Sequence, residues 1–299
     1  MTSRALSPAA AFAVAAAGIG LFSIMDAFMK SLTLALGVYN ALVWRTGLST
    51  ILGAAIWIAS GRSRPSRRAV TLHALRSAIT AVMALLFFWG LARTPMAQAI
   101  SLSYIAPLLA LLLGAMFLGE RVGRRVVGAS LAALGGVAII VAGQQEASSG
   151  PEALEGAIAI LASAVLYAAN LVVARVQSQA AKPAEIAFFQ SGFVTLLLLI
   201  ASPWFLAVPD QAQYWKIAVG AVLASSSLFL LAWAYAHGET GYLATTEYTS
   251  FVYAAVLGWA VFGEHVAWTT LLGAAVIVTA CLYAARRRDV AQAAVQAAS

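Results

Sequence analysis

The chain has 299 residues, 62% hydrophobic and only 10% charged, with a net charge of +7 and a mean hydropathy of +0.89. Soluble domains carry about 25% charged residues, so this composition excludes an ordinary water-soluble fold and points to an integral membrane protein. The positive charge lies mainly between apolar segments and in the C-terminal run, where it reads as an orientation signal rather than a nucleic-acid footprint.

Charged and Gly/Pro-rich breaks predict ten spans, at 8–36, 38–60, 70–92, 96–118, 125–142, 154–176, 184–206, 213–236, 240–262 and 266–285. The first is read as a membrane helix, not a cleaved leader. It holds Asp26 and Lys30, four residues apart on one helical face. They read either as a local ion pair, with Lys30 snorkelling toward the outer interface, or as a substrate contact in which Lys30 meets a carboxylate. Arg45 lies well inside the second span, as a substrate contact or as a tie to backbone carbonyls of neighbouring helices. The fourth span carries Gln98, Ser101 and Tyr104 at three-residue spacing, one polar strip, and then Pro107, which frees a carbonyl and can kink a helix. Gly128, Ala132 and Gly136 follow on the fifth span, a small-residue stripe suited to close packing inside the bundle or to a homodimer contact.

The sixth and eighth spans hold Tyr167, Trp233 and Tyr235, candidates for an aromatic cavity wall, whereas Trp204, Tyr214 and Trp215 flank a loop as interface-belt residues. In the ninth span Tyr242, Thr245 and Tyr248 repeat the polar strip of the fourth. Glu247 beside them could carry a proton, meet an amine or stay neutral and hydrogen-bonded. The single cysteine, Cys281, lies in the tenth span, which leaves no disulfide framework or thiolate metal site. Basic residues follow the second, fourth, sixth and tenth spans, while the connection after the fifth carries Glu146, Glu152 and Glu155. The positive-inside rule then puts both termini in the cytoplasm.

The two halves repeat each other. Shifted by 144 positions, residues 93–122 fall on 237–266 without a gap: Tyr104 on Tyr248, Leu113-Gly114 on Leu257-Gly258, and Gly119-Glu120 on Gly263-Glu264. An offset of 145 pairs Gly128 with Gly273, Phe22 with Tyr167, Lys30 with Arg175 and Arg45 with Gln190. Pro107 falls on Phe251, so the halves are not expected to be mechanically equivalent. Five spans per copy turn the second copy upside down, the architecture of a secondary transporter with its substrate between the halves. The predicted organisation is a first repeat over 1–143, a connecting loop over 144–153, an inverted second repeat over 154–285 and a cytoplasmic basic tail over 286–299. The two polar strips are expected to face each other across the pseudo-twofold. Glu120 and Glu264 are expected to cap helices or to gate.

The chain has no phosphate-binding loop, no HExxH and no TVGYG-like filter. ATP-driven transport, metal catalysis and a potassium-type pore therefore lack a basis, and no cofactor is expected. No nucleophile–base pair suggests an enzyme.

The stretch from Thr94 to Val141, with Pro107, the Gly119–Arg121 tripeptide and the small-residue-rich run from Gly128 to Gly143, resembles the EamA repeat of the drug/metabolite transporter superfamily. The second copy keeps Gly263-Glu264 and Gly273 but has Phe251 where the family has proline. Arg45 matches an arginine common in the family's second helix. The resemblance covers essentially the whole chain. It implies an all-α integral membrane protein of ten transmembrane helices in two inverted five-helix repeats, exporting small metabolites across a bacterial inner membrane by alternating access. The general likeness is to the YddG-type exporters of aromatic and neutral amino acids. On that expectation Gln98, Ser101, Tyr104, Tyr167, Trp233, Tyr235, Thr245 and Tyr248 line the cavity, with Asp26, Lys30, Arg45 and Glu247 as charge contacts or coupling groups.

Overall fold

A computed structural model describes residues 8–62, 64–118, 124–146, 151–237, 243 and 245–297. Among them the structure is helical, with no strand. In lipid a backbone polar group finds no water, so a spanning segment must bond its own N–H and C=O groups, which a helix does.

Helix α1 (Pro8–Leu36) has 29 residues and reaches about 43 Å at 1.5 Å per residue. It stops at Gly37, whose φ of 77° and ψ of 154° suit glycine alone. The Gly37 N–H closes α1 on Thr33 O at 2.9 Å, and its C=O accepts from Ala41 N at 3.1 Å to open α2 (Val38–Ala59). Helix α3 (Arg67–Leu91) is capped by Ser66, whose Oγ accepts from Ala69 N. Then come α4 (Met96–Ser103), α5 (Ala106–Leu118), α6 (Arg124–Glu146), α7 (Pro151–Ser178), α8 (Pro183–Leu199), the short α9 (Ser202–Phe205) and α10 (Gln211–His237). A 3-10 turn over Thr245–Tyr248 leads into α11 (Thr249–Phe262), and α12 (Trp268–Ala297) closes the chain. Among the described residues, six stretches are long and apolar enough to cross a membrane: Ala9–Leu36, Val38–Ala59, Arg67–Leu91, Met96–Gly114, Glu152–Ser178 and Gln211–Tyr235. Val127–Gly143, Pro183–Leu199 and Trp268–Tyr283 are shorter apolar helices. Large apolar side chains such as Ile51, Leu131, Ile158 and Trp259 face outward, as lipid-facing residues do.

The packing repeats as the sequence does. The most extensive contacts are α1 on α10, α3 on α7, α6 on α12 and α2 on α8, each joining one half to the other. Exchanging the halves turns the α1–α10 contact into α7–α3 and returns α2–α8 and α6–α12 to themselves. The lesser contacts obey the same exchange, α5–α7 becoming α11–α1 and α3–α8 becoming α10–α2. The chain thus has a two-repeat layout whose core is the seam between the copies.

Several expectations need correction. The fourth span is two helices: at Tyr104 and Ile105 the ladder tightens, with Tyr104 N bonded to Ser101 O and Ile105 N to Leu102 O. Pro107 accounts for part of this, because it cannot donate to the preceding turn. The break recurs at the repeat-equivalent Tyr248 with no proline, so the mechanical difference between halves expected from Phe251 is not seen at this joint. The packing stripe of α6 is Ala129, Ala133, Gly136 and Ile140, with Gly128 and Ala132 on the open side. Alternating steps of four and three follow the 3.6-residue turn, whereas a strict step of four drifts around the helix. This stripe packs within the chain, against α12. The last helix, α12, continues to Ala297 through a run rich in the helix formers Ala, Arg and Gln, which is compatible with the expected basic tail. Gly119–Arg121 and Tyr242 lie outside the described residues.

Candidate transport site

Ser23, Asp26, Lys30 and Thr33 recur along one face of α1, and all are 7% exposed or less. Burying them is costly in lipid, so their partners show what the stripe does. Lys30 does not pair with Asp26 and does not snorkel. Its Nζ forms an ion pair with Glu264 Oε1 and donates to Thr94 O at 2.6 Å, while the Phe262 ring centroid lies 5.1 Å away. Glu264 Oε2 accepts from Met96 N at 2.7 Å, capping α4 from another part of the chain. The free N–H groups and the dipole at the start of α4 favour a carboxylate there, so Lys30 meets an anion already held in place. Gly258 leaves that carboxylate room, since a Cβ on it would lie 2.6 Å from Glu264 Oε2. One cluster therefore ties α1, the α3–α4 joint and the α11–α12 joint together at one end of the bundle.

Deeper in, the two helix breaks meet. The Tyr104 hydroxyl hydrogen-bonds the Ser250 hydroxyl at 2.7 Å and donates toward Tyr248 O at 3.3 Å. The Tyr104 and Tyr248 rings lie edge to face, with centroids 5.3 Å apart. Cys281 Sγ donates to the Tyr104 carbonyl at 3.4 Å, taking up an acceptor left at the joint. Glu247 is exposed, yet Tyr104, Tyr167, Tyr235 and Tyr248 from four segments of chain stand within electrostatic reach of it. The backbone carbonyl of Glu247 also lies 3.4 Å from the Tyr104 hydroxyl, at the meeting point of the two breaks. Thr245 starts the same 3-10 turn.

The other candidates lie elsewhere. Gln98 lines a crevice of about 90 Å³ with Pro95, His265, Thr269 and Thr270. Ser101 is fully buried and returns its hydroxyl to Ala97 O of its own helix at 2.7 Å, so this part of the polar strip is satisfied locally. Trp233 is 38% exposed and stacks on His237 at 4.4 Å, away from Tyr235, which packs beside Leu243. Arg45 Nε and Asp26 Oδ1 have no hydrogen-bond partner among the described residues, although each side chain feels the other's charge.

A further polar network escaped the sequence reading. Arg76 donates to Asn170 Oδ1 at 3.0 Å and to Gln177 Oε1 at 2.6 Å, and Gln177 Nε2 meets His73 Nδ1 at 2.7 Å. The other ring nitrogen of His73 faces Glu185 Oε1 at 3.2 Å. This joins α3 to α7 and α8 across the seam. Its available signal was the helical spacing of His73, Arg76 and Thr80 on α3 and of Asn170 and Gln177 on α7.

An all-helical bundle with two exchangeable halves and buried charges at their seam has the architecture of a membrane transporter. The chain belongs to the EamA-like transporter family, whose pattern matches residues 8–142 and 154–286. It is 29% identical over 272 residues to the pseudopaline exporter CntI of Pseudomonas aeruginosa, across 89% of this chain and 93% of that one. It is 26% identical over 275 residues to a riboflavin transporter of Rhizobium johnstonii, across 90% and 88% of the two chains. A protein of known crystal structure shares the fold with a TM-score of 0.62 at 21% identity, over 93% of this chain and 98% of its own.

Proposed function

We propose that the protein is a secondary exporter of small amphipathic metabolites, specifically aromatic and other neutral amino acids, working by alternating access in a bacterial inner membrane. The observation that carries this reading is the contrast between the two ends of the seam. At one end the exposed Glu247 stands beside the joined helix breaks of Tyr104 and Tyr248, while the Lys30–Glu264–Met96 cluster ties the opposite end. With ten spans and both termini in the cytoplasm, as the basic loops indicate, the tied end faces outward and the open group faces the cytoplasm. Substrate enters between the repeats 1–143 and 154–285 and contacts Tyr104, Tyr167, Tyr235 and Tyr248. Breaking the outer ties while the inner side closes then releases it outside. The joints at Tyr104–Ile105 and Thr245–Tyr248 supply the bending, because the short loop after the third span is itself held by Lys30 through Thr94. The general likeness to YddG-type exporters supports the amino acid assignment.

The names of the two relatives favour a second reading, a larger metabolite such as a flavin. Counterflow separates the two. Proteoliposomes are preloaded with unlabelled phenylalanine and given trace labelled phenylalanine outside; transient accumulation above equilibrium, absent from protein-free vesicles, is the expected result. Accumulation with riboflavin alone replaces the amino acid reading by the second.

A further inference from the structure

The offset of 145 that pairs Arg45 with Gln190 also pairs Gly47 with Gly192 and Thr50 with Thr195, on α2 and α8. These equivalents meet. Thr50 Oγ1 and Thr195 Oγ1 lie 3.2 Å apart, and either can donate to the other. Beside them each glycine faces the other helix's threonine. A Cβ on Gly47 would lie 3.9 Å from Thr195 Cγ2, and a Cβ on Gly192 3.5 Å from Thr50 Cγ2. The bonding within each helix repeats as well. Thr50 Oγ1 approaches Thr46 O at 2.8 Å, and Thr195 Oγ1 approaches Ser191 O at 2.9 Å. One turn earlier, Thr46 donates to Leu42 O and Ser191 to Ala187 O, both at 2.8 Å. Each of these pairs of bonds is related by the same offset. Hydroxyls returned to the carbonyl four residues back often bend a helix, so the two helices share one set of bending contacts where they cross. The pseudo-twofold axis therefore passes between Thr50 and Thr195.

In an inverted-repeat carrier, exchanging the conformations of the two halves turns a state open to one side into a state open to the other. A contact between residues that are not equivalents is then replaced by a different pair. Lys30 and Glu264 are not equivalents, so their tie belongs to one state. Gly136 and Gly273 are not equivalents either, because Gly273 corresponds to Gly128. A contact between equivalents goes over into itself. The threonine pair allows this without rearrangement, since swapping donor and acceptor moves a proton and leaves both oxygens in place.

We propose that Thr50 and Thr195 mark the axis about which the two repeats exchange conformations. Their contact is kept in both the inward-open and the outward-open state, while contacts such as the Lys30–Glu264 tie are made and broken around it. This rests on the alternating-access reading above and assigns the part of the seam that does not open.

Cross-linking of the full-length protein in proteoliposomes tests it, with Cys281→Ser as background. Thr50→Cys/Thr195→Cys puts two thiols where the two hydroxyls meet, and oxidation by copper phenanthroline should bridge them. Once thiol titration shows the bridge complete, the vesicles should keep at least half of the phenylalanine counterflow that they show after reduction. Counterflow that is lost on oxidation and returns with a reductant overturns the axis, because the two helices then have to part. Thiols that stay unbridged in a variant that still exchanges substrate overturn it too. If the threonine pair does not fold, Thr50→Cys/Gly192→Cys spans the same crossing and is read in the same way. Where riboflavin exchanges and phenylalanine does not, the amino acid assignment falls. The comparison of oxidised with reduced vesicles, made with riboflavin, then decides the axis by the same two outcomes.

Discussion

Gly136 and Gly273 meet backbone to backbone. A Cβ on the first would lie 2.8 Å from the carbonyl oxygen of the second, and a Cβ on the second 2.6 Å from that of the first. Here α6 and α12, the last helices of the two repeats, approach through their backbones, and nothing but glycine fits on either side. Gly136→Leu should therefore lower the melting temperature in detergent sharply, overpacking costing about 1–3 kcal/mol or more. Gly128→Leu, where a side chain meets nothing within 4 Å, should leave it within error. Equal effects at the two positions would remove α6–α12 from the seam.

Breaking the Lys30–Glu264 pair should open the tied end. Removing one partner of a buried pair costs about 3–5 kcal/mol, because the other is left uncompensated. Gln98→Cys, placed in a Cys281→Ser background, puts a thiol in the crevice beside this cluster. Lys30→Met should raise its labelling by a membrane-impermeant maleimide added outside several-fold, and the exchange Lys30→Glu/Glu264→Lys should return part of the protection. Unchanged labelling would show that the pair holds helices without closing a path.

Glu247 separates two substrate classes. Where the substrate is held by the tyrosines and not by the Glu247 carboxylate, Glu247→Gln should keep at least half of the phenylalanine counterflow. An exporter of cationic drugs would depend on the Glu247 carboxylate and lose transport altogether. Counterflow with each substrate distinguishes them.

His73→Leu should destabilise the fold more than a surface change does. It removes the acceptor of the Gln177 amide and the donor facing Glu185, in a fully buried place. Losing the Gln177 amide's acceptor in a buried place costs about 1–3 kcal/mol. The fall should appear in melting temperature, with counterflow per folded molecule unchanged. A loss of transport without a loss of stability would move this network into the mechanism.

The helices and the repeat were legible because both are local or periodic. Hydropathy marks segments of about 20 residues, and the Tyr104/Tyr248 and Gly114/Gly258 matches survive in register. Partners across the seam were not. Lys30 and Glu264 stand 234 residues apart and are not repeat equivalents, so neither spacing nor alignment joins them. Asp26, one turn away, was the partner sequence offered. The polar strip of the fourth span was legible as a face, but periodicity does not tell a hydroxyl spent on its own helix, as Ser101 is, from one aimed between helices, as Tyr104 is. Trp233 shows the same limit, since a tryptophan two residues from Tyr235 stands on the other side of α10.

Gly37 is the entire connection between α1 and α2. Its N–H finishes one helix and its carbonyl begins the next, so the hairpin has no slack. A pull on α1 at Lys30 therefore reaches α2 through one residue, with no loop to take it up. The first two helices are then expected to move as one piece when the tied end opens, leaving the bending to the joints at Tyr104–Ile105 and Thr245–Tyr248.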